Sequence, residues 1–327
     1  MKTINHHINL FILLCFLGFK LLTLTLCESE QNEPDNKTTP ENTTSFKGEY
    51  LGQILPDSIP VRFVPDFLLS NQNWWWHGRI DFQNDGHELF MDIYCPAEGG
   101  IRIRHMKTLS EYWTYPAPSP FSSDHIDASP SFINNGNKVF FLSDRPNSEG
   151  YGIWYAEKNN GVWSAPQPAE VPVNSSIEKG WEISVTNNET IYYRMKVTGG
   201  SDMEDIFVIN KVNGQYTTPE RLDDNINSAY SELGVFVDPE EEYMLFSSDR
   251  PDGFGGYDIY ISYRNTDGTW GEAVNLGASI NSSSSDNAPS VSSDKKYLFF
   301  NSRREGNGNP FWVDAQIIDE LKPAELK

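Results

Sequence analysis

The sequence predicts an all-β chain folded as a β-propeller of four-stranded blades, and three observations carry that prediction. From Phe46 onward, short runs of aromatic and β-branched residues alternate with Asn-Gly, Asp-Gly and Pro turns, and no stretch reads convincingly as a helix. One sequence unit recurs with a period of about 53 residues, in the range that marks propeller blades. A four-stranded sheet of that size cannot bury both faces alone; radial stacking about a channel covers them and shortens the exposed edges.

Each unit offers the same elements in the same order. An inner strand comes first, as in Ser129-Pro130-Ser131-Phe132 and Ala288-Pro289-Ser290-Val291, each followed by a turn. An aromatic strand follows: Val139-Phe140-Phe141-Leu142-Ser143-Asp144-Arg145-Pro146 matches Met244-Leu245-Phe246-Ser247-Ser248-Asp249-Arg250-Pro251 and Leu298-Phe299-Phe300-Asn301-Ser302-Arg303-Arg304 position by position. Ile191-Tyr192-Tyr193-Arg194 and Leu89-Phe90-Met91-Asp92 are degenerate copies, so Phe90, Phe141, Tyr193, Phe246 and Phe300 are expected at one position of five blades. The third strand repeats as Gly152-Ile153-Trp154, Asp205-Ile206-Phe207, Asp258-Ile259-Tyr260 and Pro310-Phe311-Trp312, with Gly100-Ile101-Arg102 the weakest copy. Gly161, Gly214 and Gly268 then open tight hairpins into an outer strand, where a positive φ is needed.

Five blades result, with six as the alternative. The last unit stops after its third strand near Ile318, and residues 46 to 66 have the length and proline punctuation of the missing strand. The N-terminal segment is therefore expected to close the ring as the outer strand of the last blade.

The run from Ser248 to Tyr260, SDRP-x-G-x-x-G-YDIY, with the turns at Asn134-Asn135-Gly136 and Asp294-Lys295, resembles the WD40-like propeller repeats of the TolB type. The resemblance covers roughly residues 46 to 316. It implies an exported bacterial propeller, and it departs in the first and third blades, where Ser-Asp-Arg is absent.

Outside the blades the chain divides by composition. Residues 8 to 26 form an apolar run broken only by Lys20, which reads as an export signal or a membrane anchor, so residues 1–27 are assigned to the leader. Leu24-Thr25-Leu26-Cys27 resembles a bacterial lipoprotein box, which implies lipidation at Cys27; Leu26 stands where such boxes carry Gly, Ala or Ser, and a cleaved secreted form and an uncleaved anchor remain alternatives. Residues 28–45 are polar and read as a disordered tether, 46–318 as the propeller, and 319–327 as a C-terminal tail.

The formal charge is −21, and a leader carrying Lys2 and Lys20 leaves 23 basic against 46 acidic side chains in the rest. A surface this negative repels phosphate backbones, which argues against nucleic acid as a partner. Three cysteines are too few for a disulfide framework, no metal-ligand spacing occurs, and no cofactor is implied. Cys95, alone in the body of the chain, reads as a small packed residue.

Function is expected on the face where outer strands return to inner ones and second strands pass to third ones, since loops on a rigid scaffold carry binding. Asp127, Glu178, Glu232 and Asp286 recur there at intervals of 51, 54 and 54 residues, an acidic ring at the channel mouth. Arg145, Lys196, Arg250 and Arg304 recur in step with them, so the acids either bind a hard cation or the amines and hydroxyls of a ligand, or pair with these bases to hold the blades in register. Trp74, Trp75 and Trp76 cannot all face inward, because strand side chains alternate; at least one is expected to be accessible for stacking on a sugar or peptide. His77 and His125 flank these groups and have no third ligand at a diagnostic spacing. Asp249, Asp252 and Asp258 with Gly253, Gly255 and Gly256 read as a glycine-rich connection, without the bidentate Glu of a calcium loop.

These features describe a monomeric, non-catalytic binding or scaffolding propeller of the cell envelope, or a secreted one, that engages a protein, peptide or glycan and meets the membrane only through its N-terminus. The alternative is a carbohydrate-active hydrolase or lyase using channel-mouth carboxylates. The arginine complement is expected to keep those carboxylates ionised, which disfavours a general acid. No Gly-x-Ser-x-Gly elbow is present.

Overall fold

Side chains in the aromatic strands are buried on both faces, and this organises the molecule. The computed structural model describes residues 42–63, 74–146, 151–172, 182–196, 203–306 and 308–327. In the second blade Phe140 packs toward the third blade and Phe141 toward the first. Leu245 and Phe246, and Phe299 and Phe300, divide in the same way. Strand alternation sends adjacent residues to opposite faces, and here both faces meet a neighbouring blade, so the run is apolar throughout. Five apolar clusters among the described residues lie one at each junction between blades.

The N-terminal strands are β1 (Thr43–Lys47) and β2 (Val61–Arg62). Blade one contains β3 (Trp75–Gln83), β4 (Glu88–Cys95), β5 (Gly100–Leu109), β6 (Tyr112–Thr114) and β7 (Ala117–Pro118), with β1 added against β6. Blade two is β8 (Asp127–Ile133), β9 (Lys138–Ser143), β10 (Gly152–Asn159), β11 (Val162–Trp163) and β12 (Gln167–Pro168). Blade three is β13 (Ile183–Val185), β14 (Ile191–Lys196), β15 (Glu204–Ile209) and β18 (Glu220–Arg221), with a hairpin of β16 (Lys211–Val212) and β17 (Gln215–Tyr216). Blade four is β19 (Glu232–Val237), β20 (Tyr243–Ser248), β21 (Asp258–Tyr263) and β22 (Val274–Asn275). Blade five is β23 (Asp286–Val291), β24 (Tyr297–Ser302) and β25 (Asn309–Asp314), completed by β2.

The ring closes as the sequence predicts. Val61 pairs with Trp312 and Arg62 with Phe311, and the Phe63 amide donates to Pro310 O at 2.8 Å. Ahead of this strand the chain drives Tyr50 fully into the junction of blades one and five, against Phe82, Tyr297 and Trp312, and its hydroxyl donates to Asp294 at 2.8 Å.

Four expectations are corrected. Strand β1 begins at Thr43, inside the stretch assigned to a disordered tether; Thr43 and Thr44 are buried and Thr44 Oγ1 donates to Trp113 O at 3.0 Å, so short polar side chains here satisfy the blade edge. A short helix, α1 (Gln316–Glu320), crosses the boundary drawn at 318, and Leu321 and Leu326 pack on the junction of blades four and five, so the tail belongs to the fold. In blade one the position equivalent to Phe141 is Met91, not Phe90: the pair Phe82 and Leu89 matches Phe132 and Val139, and Met91 faces the preceding blade as Phe141 does, while Phe90 faces the following blade like Phe140. Inner strands β8, β19 and β23 carry a bulge opposite Phe141, Phe246 and Phe300, whereas the bulge in β3 lies opposite Asp92, one residue further along the second strand, with Ile80 still paired to Met91. By the same register Phe311, not Trp312, matches Trp154 and Tyr260.

Candidate functional site

Three of the recurring acids stand at the start of their inner strands, where each is held by the arginine of its own blade. Asp127 meets Arg145 at 3.1 Å, Glu232 meets Arg250 at 3.3 Å, and Asp286 meets Arg304 at 2.9 Å; all three acids are fully buried. The same guanidinium donates to a backbone carbonyl 24 residues earlier, at Phe121, Ile226 and Ile280. It also lies over two aromatic rings: Phe141 and Trp154, Phe246 and Tyr260, or Phe300 and Phe311. Backbone amides of Ser123, Ser228 and Ser282 donate to the same carboxylates. The pairing is within a blade, and its bonds tie the incoming loop to the second strand. Burial raises Asp127 and Glu232 above their ordinary values, opposed by Arg145 and Arg250 and by the serine hydrogen bonds.

Glu178 lies outside the described residues. Lys196 does not occupy the arginine position: Met195 pairs with Asp205 as Ser248 pairs with Asp258, which sets Lys196 level with Asp249. In that blade Arg194 takes up the ionic role, pairing with Glu182 at 3.1 Å and with Glu204. His125 sits at 3.3 Å from Asp144 at the surface. The glycine-rich connection of blade four folds onto Asp258, whose carboxylate accepts from the amides of Phe254 and Gly255 and from Asn275 Nδ2. Among the described residues no cluster of three metal-ligating side chains occurs.

The consecutive tryptophans separate as alternation demands. Trp76 is buried among the residues joining blades one and five, and Trp74 packs partly there, its ring 4.5 Å from the Arg104 guanidinium. Trp75 points the other way, is 52% exposed, and stacks on Tyr94 with ring centroids 4.5 Å apart and planes 18° from parallel. These two rings form an open aromatic platform at the start of the first inner strand. His77 follows on the same side and lines the channel mouth with Glu182.

The channel itself holds groups that sequence reasoning passed over. The bulge residues Gly78, Ser129, Gly234 and Ala288, with Glu182 in the third blade, line one small recess together with Arg79 and Asp92. Ser129, Gly234 and Ala288 have φ of 54°, 61° and 51°, and a Cβ on Gly234 would stand 2.8 Å from the Ala288 amide nitrogen, so the blades meet there backbone to backbone. Arg79 stands at the position filled by Ser129, Gly234 and Ala288 in other blades and by Glu182 in the third. Its guanidinium is buried and donates to Pro130 O at 3.3 Å and Val235 O at 2.6 Å, bridging blades one, two and four.

Three carboxylates surround this cation. Asp92 is buried; its Oδ2 accepts from the Ser129 amide at 2.8 Å, and its Oδ1 has no hydrogen-bond partner among the described residues. Burial, opposed by that bond and by Arg79, pushes it up to about 7, and Glu182 adds to the rise. Asp81 accepts from Gln83 Nε2 at 2.5 Å and is pushed up to about 6, again by burial against Gln83 and Arg79. Below Arg79 the channel widens, toward the hairpin turns between first and second strands, into a cavity of about 170 Å³. One signal could have located the plug: an arginine in blade one and a glutamate in blade three where the other blades carry the small residues Ser129, Gly234 and Ala288.

No protein-family model matches the chain. Nor does any curated protein. Among solved structures, TolB from Acinetobacter baumannii is similar at a TM-score of 0.44 and 13% identity, over 77% of this chain and 69% of that one. A thermostable family-43 glycoside hydrolase is similar at 0.46 and 14% identity, over 72% and 87%. A protein of unknown function from Dyadobacter fermentans is similar at 0.46 and 12% identity, over 80% and 83%. Likeness at this level assigns no activity. No helix among the described residues is long and apolar enough to cross a membrane.

Proposed function

We propose that this chain is a non-catalytic binding module, an exported propeller of the cell envelope that engages a protein, peptide or glycan through the face where its inner strands begin. The observation that carries this reading is the Trp75–Tyr94 platform: a half-exposed indole, already ordered by stacking, presents a flat apolar surface without a conformational cost on binding. Stacking on a sugar ring or on a planar peptide group is what such a surface does best. The runner-up, a hydrolase or lyase using the acidic ring, is disfavoured by the arginine held against Asp127, Glu232 and Asp286, which leaves none of these three carboxylates open to a substrate.

Equilibrium binding of soluble glycans and peptides, screened on the protein and on its Trp75→Ala variant, tests the proposal. The indole is exposed, so its removal leaves the fold intact, and a ligand of the platform should weaken about tenfold or more. Identical binding profiles for the two proteins would refute the platform as the recognition surface. Mass spectrometry of the mature N-terminus decides between lipid on Cys27, a cleaved secreted form and a retained leader.

A further inference from the structure

The opposite mouth of the channel has a chemistry of its own. Its cavity of about 170 Å³ is floored by Asp81 and Gln83 of blade one and walled by Phe132, Phe236 and Asp238 of blades two and four. Asp81 is 93% withdrawn from solvent by its 7% exposure, yet among the described residues no cation lies within ion-pair distance of it. Arg79, behind the floor, is committed to Pro130 O and Val235 O. Asp238, fully buried, does have a cation: the ammonium of Lys295 reaches its Oδ1 at 2.8 Å from the rim, on a side chain 49% exposed. An ammonium on a flexible aliphatic stem is thus already seated in the cavity, and a second buried carboxylate beside it has none.

We propose that the hairpin-face mouth of the channel binds an organic primary amine, whose ammonium is held by Asp81 and whose stem lies between Phe132 and Phe236, with Lys295 acting as a built-in competitor for the Asp238 end. The cavity selects for this class. Anions are repelled by Asp81, Asp238 and the rim residue Glu240. A neutral alcohol of the same length leaves the buried carboxylate without its charge partner, whereas an ammonium makes a charge-assisted hydrogen bond to it and gains from the aromatic walls. A bare metal ion finds no set of three ligands among the described residues.

Calorimetric titration of the full-length protein with n-butylammonium chloride, against n-butanol and sodium butyrate, tests the site. Saturable binding of the ammonium alone is expected. Asp81→Asn should weaken it about tenfold or more, and Lys295→Ala should tighten it about threefold to tenfold by removing the competitor. Lys295 is half exposed, so that variant folds even if Asp81→Asn does not. Absence of saturable binding by both the protein and Lys295→Ala would overturn the proposal, as would equal binding of the alcohol or an unchanged affinity in Lys295→Ala. Trp75→Ala should bind the amine as the parent does, which separates this site from the loop-face platform.

Discussion

Arg79 of the first inner strand donates a 2.6 Å hydrogen bond to the carbonyl of Val235, on the fourth blade. With its second bond, to Pro130 of the neighbouring blade, this one side chain joins three of the five inner strands and blocks the passage between the two mouths. Asp81, Asp92 and Glu182 are the carboxylates whose charge acts on it. The channel is therefore two separate recesses divided by a buried ionic layer, one opening beside the aromatic platform and the other onto the hairpin turns.

Replacing Arg79 by Met should destabilise the fold by about 3–5 kcal/mol, because the change leaves buried carboxylates without their cation and two bonded carbonyls without a donor. Urea unfolding at pH 8 checks this. At pH 5 the penalty should shrink, since Asp81 and Asp92 can then take up protons instead of remaining as uncompensated charges. An equal loss at both pH values would mean that packing, not charge, gives Arg79 its weight.

Asp92 makes the pH dependence of stability measurable at one residue. Its folded carboxyl titrates near 7 where the ordinary value is 3.8, so the fold holds a proton that the unfolded chain has released. The stability this group contributes is complete below about pH 4 and is lost as pH rises through 7, at about 1.4 kcal/mol per pH unit within that window. Asp92→Asn keeps an acceptor for the Ser129 amide and removes the titration. Its stability relative to the parent should therefore climb across pH 4 to 7 and level off above. Parallel stability curves for the two proteins would contradict the assignment.

What could be read from the sequence follows the repeat. The aromatic pairs Phe140-Phe141, Leu245-Phe246 and Phe299-Phe300 mark strands buried on both faces, and the unfinished last unit points to closure by the segment holding Val61 and Arg62. Blade one departs from the linear reading by one residue: matching its aromatic Phe90 to Phe141 ignores the hairpin turns Asn84-Asp85-Gly86 and Asn134-Asn135-Gly136, which set Phe90 level with Phe140 and Met91 level with Phe141. Arg79 and Asp81 were missed for a related reason. Their partners are backbone carbonyls and a side chain on strands far apart in the chain, and no spacing encodes that. The acids and arginines were legible as a set because they repeat; that each pair closes within its own blade, over its own aromatic strand, depends on a loop path that only the fold supplies.

The clasp in blade four gives the sharpest test of whether the acidic ring is architecture. Glu232 is fully buried with Arg250 at 3.3 Å, Ser228 and Ser248 hydroxyls at 2.6 and 2.9 Å, and two aromatic rings beneath the guanidinium. Arg250→Met leaves that carboxylate charged and buried, which should cost about 3–5 kcal/mol. Glu232→Gln keeps both serine bonds in reach and should cost less, about 1–2 kcal/mol. If the two residues act as a unit, the double variant should be more stable than the sum of the single losses predicts, by about 1–3 kcal/mol, because the charge that made Arg250→Met harmful is gone. Denaturant unfolding of the four proteins measures that coupling directly. Additive losses would mean that Glu232 does not depend on Arg250, and the carboxylate would return as a candidate for chemistry at the channel mouth.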